Sequence, residues 1–218
     1  MHELQKHILK TLMYSPKARY SALKPKEVEG NQFSYHLKNL LTENYIEQRD
    51  EYYYLSPKGK QYVDTISSQT LHPRIQPKIV TLIVLKQKDS YLLYDRKRMP
   101  FINHIGFPYG KIHLEERIHD AAQRELFEKT GLKAELKHRG DVYLTVHDET
   151  ELVSHMLCHI FTGTKTTGEL KGECFWSKLT DVSDRKLIPG VQQIVKLLEA
   201  NKSGLFFSEF FLNSSEEV

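Results

Sequence analysis

The sequence has little cysteine and no long apolar run. Its 218 residues contain two cysteines, Cys158 and Cys174, and neither belongs to a Cys-x-x-Cys pair. This count argues against a disulfide framework and against a cysteine-based zinc site. A run of about 18 apolar residues, which a transmembrane helix needs, does not occur, and the N-terminal residues lack the apolar core of a signal peptide. We therefore expect reduced thiols, a cytoplasmic location and no membrane partner.

A strong excess of one charge is also missing, because the formal net charge is only +3 at pH 7. Residues 1–70 carry ten Lys and Arg against eight Asp and Glu, and the remaining residues carry twenty-one against twenty. Neither part is a basic tail, so any binding to nucleic acid must depend on where the charges lie. The chain length favours two small domains over one large domain.

The first part of the chain has the periodicity of helices. Apolar residues at three- and four-residue spacing predict a first helix that ends at Pro16, and a short second helix is predicted at 19–23. After Gly30-Asn31 a third helix follows, with an apolar stripe at positions 33, 37, 40 and 41. Two short strands, 45–48 and 52–55, precede Ser56-Pro57, which is a helix-start signal for a closing helix.

This order of elements is typical of a winged helix, and the string NQFSYHLKNLLTENYIEQRDEYYYLSPKGKQYV resembles winged-helix transcription regulators of the MarR and ArsR kind. The resemblance implies that the outer face of the third helix reads the major groove of double-stranded DNA. The predicted DNA-binding residues lie on that helix and in the wing: Ser34, Tyr35, Lys38, Asn39 and Arg49. A homodimer is expected, because the two half-sites of such a DNA target are each bound by one copy of the protein. The alternative is a protein-docking module, which the acidic wing-tip residues Asp50 and Glu51 favour.

Residues 69–77 are the predicted linker between the winged-helix domain, 1–68, and a second domain, 78–218. The stretch SSQTLHPRIQP contains two prolines and small polar residues, a composition typical of linkers. A Val- and Ile-rich strand, 78–85, and another strand, 91–96, are predicted at the start of the second domain.

The segment GKIHLEERIHDAAQRELFEKTGL predicts a helix over 116–130 that ends at Gly131, a residue suited to the left-handed conformation. Its predicted buried stripe consists of Ile118, Ala121, Ala122 and Leu126. Glu125 and Glu128 lie on one face of this helix, where two carboxylates repel each other unless a cation lies between them. The alternative is a solvated face in which Glu125 pairs with Lys129 at i,i+4 spacing.

The same segment resembles the Nudix box at eight of its nine defined positions, namely Gly110, Glu116, Arg124, Glu125, Leu126, Glu128, Gly131 and Leu132. The ninth position, normally a second glutamate, is Lys129. The resemblance implies an α/β/α sandwich with a mixed sheet, so the whole chain is predicted to be α+β. It also implies Mg²⁺-dependent hydrolysis of a nucleoside diphosphate linked to another moiety.

The resemblance assigns roles within this box. Glu125, Glu128 and Arg124 are the expected catalytic residues, and the expected metal ligands are Glu125, Glu128, Glu116 and the carbonyl of Gly110. A lysine at 129 cannot coordinate Mg²⁺ and would repel it, so we expect the ion to bind weakly or not at all.

Cationic and aromatic residues could bind the nucleotide without the ion, and the expected ligand-binding residues are Lys111, Lys129 and Tyr109. Two functions therefore stay open: a hydrolase, and a transcriptional regulator that senses a nucleotide. A further catalytic acid could be Asp148, Glu149 or Glu151.

Overall fold

The computed structural model describes residues 1–214 and divides the chain into two compact units, Met1–Gln76 and Pro77–Val218. The elements of the first unit are, in order, α1 (Glu3–Met13), β1 (Ala18–Arg19), α2 (Tyr20–Leu23), α3 (Gly30–Thr42), β2 (Ile46–Arg49), β3 (Tyr52–Leu55) and α4 (Pro57–Thr65). The three strands form an antiparallel sheet in the order β1-β3-β2.

The first unit has its own apolar core, to which α1 contributes Ile8 and Leu9 and α3 contributes Phe33 and Leu40, all fully buried. Helix α4 begins as the sequence predicts, since the hydroxyl of Ser56 accepts a hydrogen bond from the backbone N–H of residue 59. The start of α4 could be predicted from the sequence because capping depends on neighbouring residues.

Helix α3 differs from expectation at two places. Gly30 and Asn31, expected before the helix, form its first turn, and the N-cap Glu29 makes no side-chain capping bond. His36, which lies outside the predicted apolar stripe, packs its ring against that of His2, with 3.9 Å between the ring centroids. Burial lowers the pKa of His36. The polar outer face is therefore narrower than helical periodicity predicts.

The beginning of the predicted linker folds against the first unit. Ile66 forms an isolated bridge with Pro73, and the backbone N–H of Ser67 donates to the carbonyl of His72 at 2.9 Å. Leu71 packs on the core of the first unit. Among the described residues, these backbone bonds to the first unit end at Arg74, and the next residue, Ile75, is fully exposed.

The second unit is built around an eight-stranded mixed sheet. Its strands are β4 (Lys78–Gln87), β5 (Ser90–Asp95), β6 (Ile105–Gly106), β7 (Tyr109–Lys111), β8 (Leu132–Asp148), β9 (Glu151–Gly168), β10 (Cys174–Ser177) and β11 (Phe206–Asn213). The main order is β10-β5-β4-β9-β8-β11, with β6 beside β5 and β7 beside β4. The pairs β4–β9 and β8–β11 are parallel, and the other pairs are antiparallel.

Two helices cover opposite faces of this sheet. Alternate residues of a strand point to opposite faces, and β4 divides its apolar residues accordingly. Val80 and Leu82 pack in a core with Ile194 of α6 (Val191–Ala200), whereas Ile83 packs in another core with Leu126 of α5 (Ile118–Thr130). A short 3₁₀ helix, Leu179–Val182, precedes α6. Among residues 1–214, no helix is long and apolar enough to cross a bilayer.

Candidate functional site

Helix α5 carries the acids of the candidate site and is anchored at its C-terminal end. Gly131 adopts a φ of 75° there, and its N–H donates to the carbonyl of Phe127. Ala121, Ala122 and Leu126 are fully buried as predicted, but Ile118 is 41% exposed. The prediction for Ile118 was wrong because this residue lies in the first turn of the helix and belongs to none of the apolar cores.

Arg124 is the centre of the polar contacts around α5. Its guanidinium donates two bonds to Glu116, at 2.7 and 2.8 Å, and one to the carbonyl of Lys111 at 3.0 Å. It also donates to Glu125 at 2.8 Å and to Glu128 at 3.3 Å. These five bonds match the number of N–H groups on a guanidinium. Arg124 therefore holds the loop before α5 and orients both acids of the helix.

Both carboxylate oxygens of Glu116 accept hydrogen bonds in this network. One oxygen accepts only from Arg124, and the other accepts from Arg124 and from the backbone N–H of His113 at 3.0 Å. The hydrogen bonds from Arg124 and then the bond from His113 lower the pKa of Glu116 to about 2. In this arrangement Glu116 is ionised and ties the loop to the helix.

Glu125 lies between two cations and directly over a glycine. Its Oε1 accepts from Arg124, and its Oε2 lies 3.7 Å from the ammonium of Lys129. A Cβ atom on Gly110 would fall 1.7 Å from Glu125 Cδ, so only glycine at position 110 leaves room for the carboxylate. The side chain of Glu125 is 10% exposed.

These contacts test whether the box fits a divalent ion. Mg²⁺ requires several oxygen ligands in near-octahedral geometry, usually including carboxylates without a competing cation. Here Lys129 replaces one acid and pairs with Glu125, while Arg124 contacts Glu125 and the more exposed Glu128. The donor set around α5 therefore does not fit a tightly bound Mg²⁺.

A cavity of about 410 Å³ opens in front of Glu125. Its polar lining includes five cationic side chains and one carboxylate: Lys78, Arg96, Arg98, Lys111, Lys129 and Glu125. Tyr109, Gly110 and the residues Met99 and Pro100 complete much of the wall. Such an excess of positive charge favours an anionic ligand.

The cations of the cavity lie close enough to affect one another. Burial lowers the pKa of Lys78, and the neighbouring charges of Lys111, Arg96 and Arg98 lower it further. An anion bound among them would relieve this repulsion. Sequence reasoning missed Lys78, Arg96 and Arg98, although the basic run at 96–98 before Pro100 was a visible signal.

Arg96 is a buried cation whose hydrogen-bond partners are neutral. It is 5% exposed, and it donates to the hydroxyls of Tyr94 and Tyr109 and to the carbonyls of Met99 and Pro100. The distance to the hydroxyl of Tyr109 is 2.7 Å. Burial is the main cause that raises the pKa of Tyr94 to about 12. The charge of Arg96 is thus fixed at the cavity without being neutralised by these partners.

Of the other site residues predicted from the sequence, some line the cavity and others do not. Lys111, Lys129 and Tyr109 line the cavity, and the ammonium of Lys129 lies 5.9 Å from the centroid of the Tyr109 ring. The three candidate acids at the β8–β9 turn, residues 148, 149 and 151, are not among the described residues that line it. Asp148 instead accepts a bond from the hydroxyl of Ser214.

In the first unit, α3 and the β2–β3 hairpin present the residues predicted to bind DNA. Tyr35 and Lys38 are exposed, Asn39 is half-buried, and Ser34 shares a hydrogen bond with the hydroxyl of Tyr20 at 3.0 Å. Arg49 is exposed and pairs with Glu47 at 2.8 Å, a contact that must loosen if Arg49 is to reach a phosphate.

A family model identifies the class of the second unit, whose mixed sheet carries helices on both faces. The NUDIX domain model matches residues 76–200, which is more than half of the chain. The chain belongs to the Nudix family. The curated proteins include no significant match to it.

Solved structures share the fold of the second unit at low sequence identity. The mutator MutT protein from Bacillus halodurans is 24% identical, with a TM-score of 0.52, and the match covers 64% of this chain and 93% of that one. The NUDIX domain of Shewanella oneidensis NrtR, complexed with ADP ribose, is 16% identical, with a TM-score of 0.51 and coverage of 66% and 98%. A NUDIX hydrolase from Nitrosomonas europaea is 20% identical, with a TM-score of 0.50 and coverage of 60% and 94%.

Proposed function

We propose that this protein is a regulator whose Nudix domain binds a nucleoside diphosphate linked to another moiety and whose N-terminal unit binds DNA. The observation that carries the proposal is the charge of the cavity, in which five cationic side chains accompany one carboxylate. A diphosphate is a doubly or triply charged anion, and cations fixed in a partly buried site bind such a group strongly.

In the proposed complex, Lys129 and Lys111 replace the divalent ion as the partners of the diphosphate. The ammonium of Lys129 lies 3.7 Å from Oε2 of Glu125, whereas Lys111 lies on β7 beside Gly110. Both lysines line the cavity together with Glu125. Lys78 and Arg98 extend the positive surface along the cavity. This arrangement retains the ligand but lacks the Lewis acid that hydrolysis of a diphosphate usually requires.

The DNA-binding half of the proposal is supported by the order of elements in the first unit. Three helices, the β2–β3 hairpin and α4 follow one another as in a winged helix, and α3 would be the helix that enters the major groove. Its exposed Tyr35 and Lys38 can reach base edges or phosphates. A homodimer would place two copies of α3 on paired half-sites.

A hydrolase is the second candidate, and the bonds of Arg124 favour it. Arg124 orients Glu125 and Glu128 on one helix face while holding Glu116 in the preceding loop. This arrangement needs only one further acid at position 129 to present three carboxylates. If the protein is a hydrolase, the two carboxylates already on α5 suffice, and the natural chain turns over its substrate with Mg²⁺.

Lys129→Glu and Lys129→Met separate the two functions. ADP-ribose, the ligand in the NrtR domain structure, is the first probe, followed by nucleotide sugars and dinucleotides. Calorimetry should show that the natural chain binds a member of this panel without Mg²⁺. Both substitutions should weaken that binding, and Lys129→Glu should weaken it more because it adds like charge.

A coupled assay for released phosphate or nucleoside monophosphate should detect no turnover by the natural chain with Mg²⁺. Turnover by the natural chain, increased by Lys129→Glu by roughly tenfold or more, would replace the regulator with the hydrolase. Failure of every ligand in the panel to bind, with or without Mg²⁺, would contradict both candidates.

A further inference from the structure

Two histidines and an aspartate converge on one point of the sheet, away from the cavity. Oδ1 of Asp141 lies 2.9 Å from Nε2 of His138 and 2.7 Å from Nδ1 of His159. The three donor atoms all lie within 4.8 Å of one another. The side chains of His138, Asp141 and His159 are 37%, 35% and 12% exposed, so solvent reaches the group from one side.

A β-bulge creates this arrangement. In a regular strand, residues three apart point to opposite faces, which would separate His138 from Asp141. The β8–β9 register shifts between His138 and Gly140, so that Arg139 is the extra residue. His138 then pairs with Phe161 and Asp141 with His159, and both side chains point to one face.

Gly140 fixes the position of the bulge. Its φ is 145°, and a Cβ atom at this position would fall 2.1 Å from the carbonyl oxygen of Phe206 on β11. Any other residue would clash with the neighbouring strand, so the bulge cannot move along β8 without loss of the β8–β11 pairing. Bulges often re-aim side chains at functional sites.

We propose that His138, Asp141 and His159 bind a first-row transition metal ion of the zinc class. Two imidazole nitrogens and one carboxylate oxygen are a ligand set for such ions, whereas Mg²⁺ and Ca²⁺ prefer oxygen alone. An ion with bonds of about 2.0–2.2 Å needs these atoms only slightly farther apart than the present hydrogen bonds. The ion replaces the two N–H···O bonds, and the exposed side leaves room for a water molecule or a ligand oxygen.

This site is separate from the acids of α5 but lies on the same face of the sheet. Gly110 pairs with Thr81, Thr81 with His159, and His159 with Asp141, so the four residues form one row across four strands. Adjacent strands are about 4.8 Å apart, which places His159 roughly 10 Å from Gly110. An ion here is too distant to contact Glu125 and does not depend on the charge of Lys129.

Titration of the chelator-treated full-length chain with Zn²⁺ and Co²⁺ tests the site. Calorimetry should show Zn²⁺ binding that excess Mg²⁺ does not displace, and Co²⁺ should give the visible absorption bands of a nitrogen-containing site. His138→Gln and Asp141→Asn should each lower the Zn²⁺ affinity by roughly tenfold or more, since even indirect supports of metal ligands have effects of that size. Circular dichroism checks that both variants fold, and His138 is exposed enough for its replacement to be tolerated.

Two controls locate the ion. His147→Gln removes a histidine of the same strand outside the group, and Glu128→Gln removes an acid of α5. Neither should change the Zn²⁺ affinity. The proposal fails if the natural chain binds no Zn²⁺ or Co²⁺, or if His138→Gln and Asp141→Asn retain its affinity. It also fails if Glu128→Gln removes the binding, because the ion would then belong to α5.

Discussion

The carboxylate of Glu125 fills the space in which a side chain at position 110 would stand. The distance of 1.7 Å from a Cβ atom on Gly110 to Glu125 Cδ leaves no room for even a methyl group. Helix α5 and strand β7 are therefore positioned against each other through one glycine. The same contact fixes the acid at the wall of the cavity.

Gly110→Ala should displace Glu125 and destabilise the second unit. Overpacking of this kind costs about 1–3 kcal/mol, and the flexible end of Glu125 cannot move without losing its bond from Arg124. Urea unfolding measures the loss, and calorimetry should show weaker nucleotide binding. Gly204→Ala is the matched control, because no atom lies within 4 Å of a Cβ there. Equal stability of the two variants would contradict this account of Gly110.

Glu116 should make the stability of the second unit depend on acid pH. Its pKa is lowered from 4.5 to about 2 in the folded chain, so its contribution is present above about pH 4.5 and is lost as the pH falls toward 2. The difference in unfolding free energy between the natural chain and Glu116→Gln should therefore shrink from pH 6 to about pH 3. Glu115→Gln, at the next residue, which is exposed, is the control variant measured beside it. A constant difference would mean that Arg124 does not stabilise the ionised form.

Replacing Lys38 and Asn39 together by alanine should abolish binding to the region upstream of the protein's own operon. Both residues lie on α3, where a winged helix reads the major groove. Gel-shift assays of the natural chain should show affinity that falls steeply with added salt, because phosphate contacts release counterions. Lys10→Ala on α1 should bind normally. If no genomic fragment binds at low salt, the first unit is a protein-docking module.

Limited digestion with trypsin should first cut after Arg74. Residues 66–73 are bonded to the first unit, whereas Ile75 is fully exposed. Mass spectrometry should identify a stable C-terminal fragment that begins at Ile75, and Arg74→Gln should delay its appearance. Initial cuts inside β8 or β9 would show that the second unit is not an independently stable fragment.

The sequence was most informative where neighbouring residues decide the structure. The helix that ends at Gly131 and the start of α4 at Ser56-Pro57 were predicted because caps are local. The spacing of Glu125, Glu128 and Arg124 was enough to place them on one helix, and the family model supports the domain that this motif implied. The assignment of catalytic and metal-binding roles to these residues stays a prediction.

Features that depend on residues far apart in the chain were not predicted from the sequence. Lys78 lies at the start of β4 and Arg98 follows β5, and strand pairing brings both to a cavity whose acid comes from α5. The convergence of His138 with Asp141 depends on an extra residue in β8, and alternation along the sequence places these two side chains on opposite faces. Burial of Arg96 depends on Tyr94, Tyr109 and a loop carbonyl together, so no short pattern predicts it.

Lys129 and Glu125 lie one helical turn apart and form an ion pair. Lysine codons become glutamate codons through substitution of their first base, so a gene encoding this chain can exchange the cation for an acid in a single mutational step. The bonds of Arg124 and the contact between Gly110 and Glu125 do not involve residue 129, so we expect them to persist through that step. Under the proposed function, natural selection can therefore move a lineage between retaining a diphosphate and cleaving it without rebuilding the pocket.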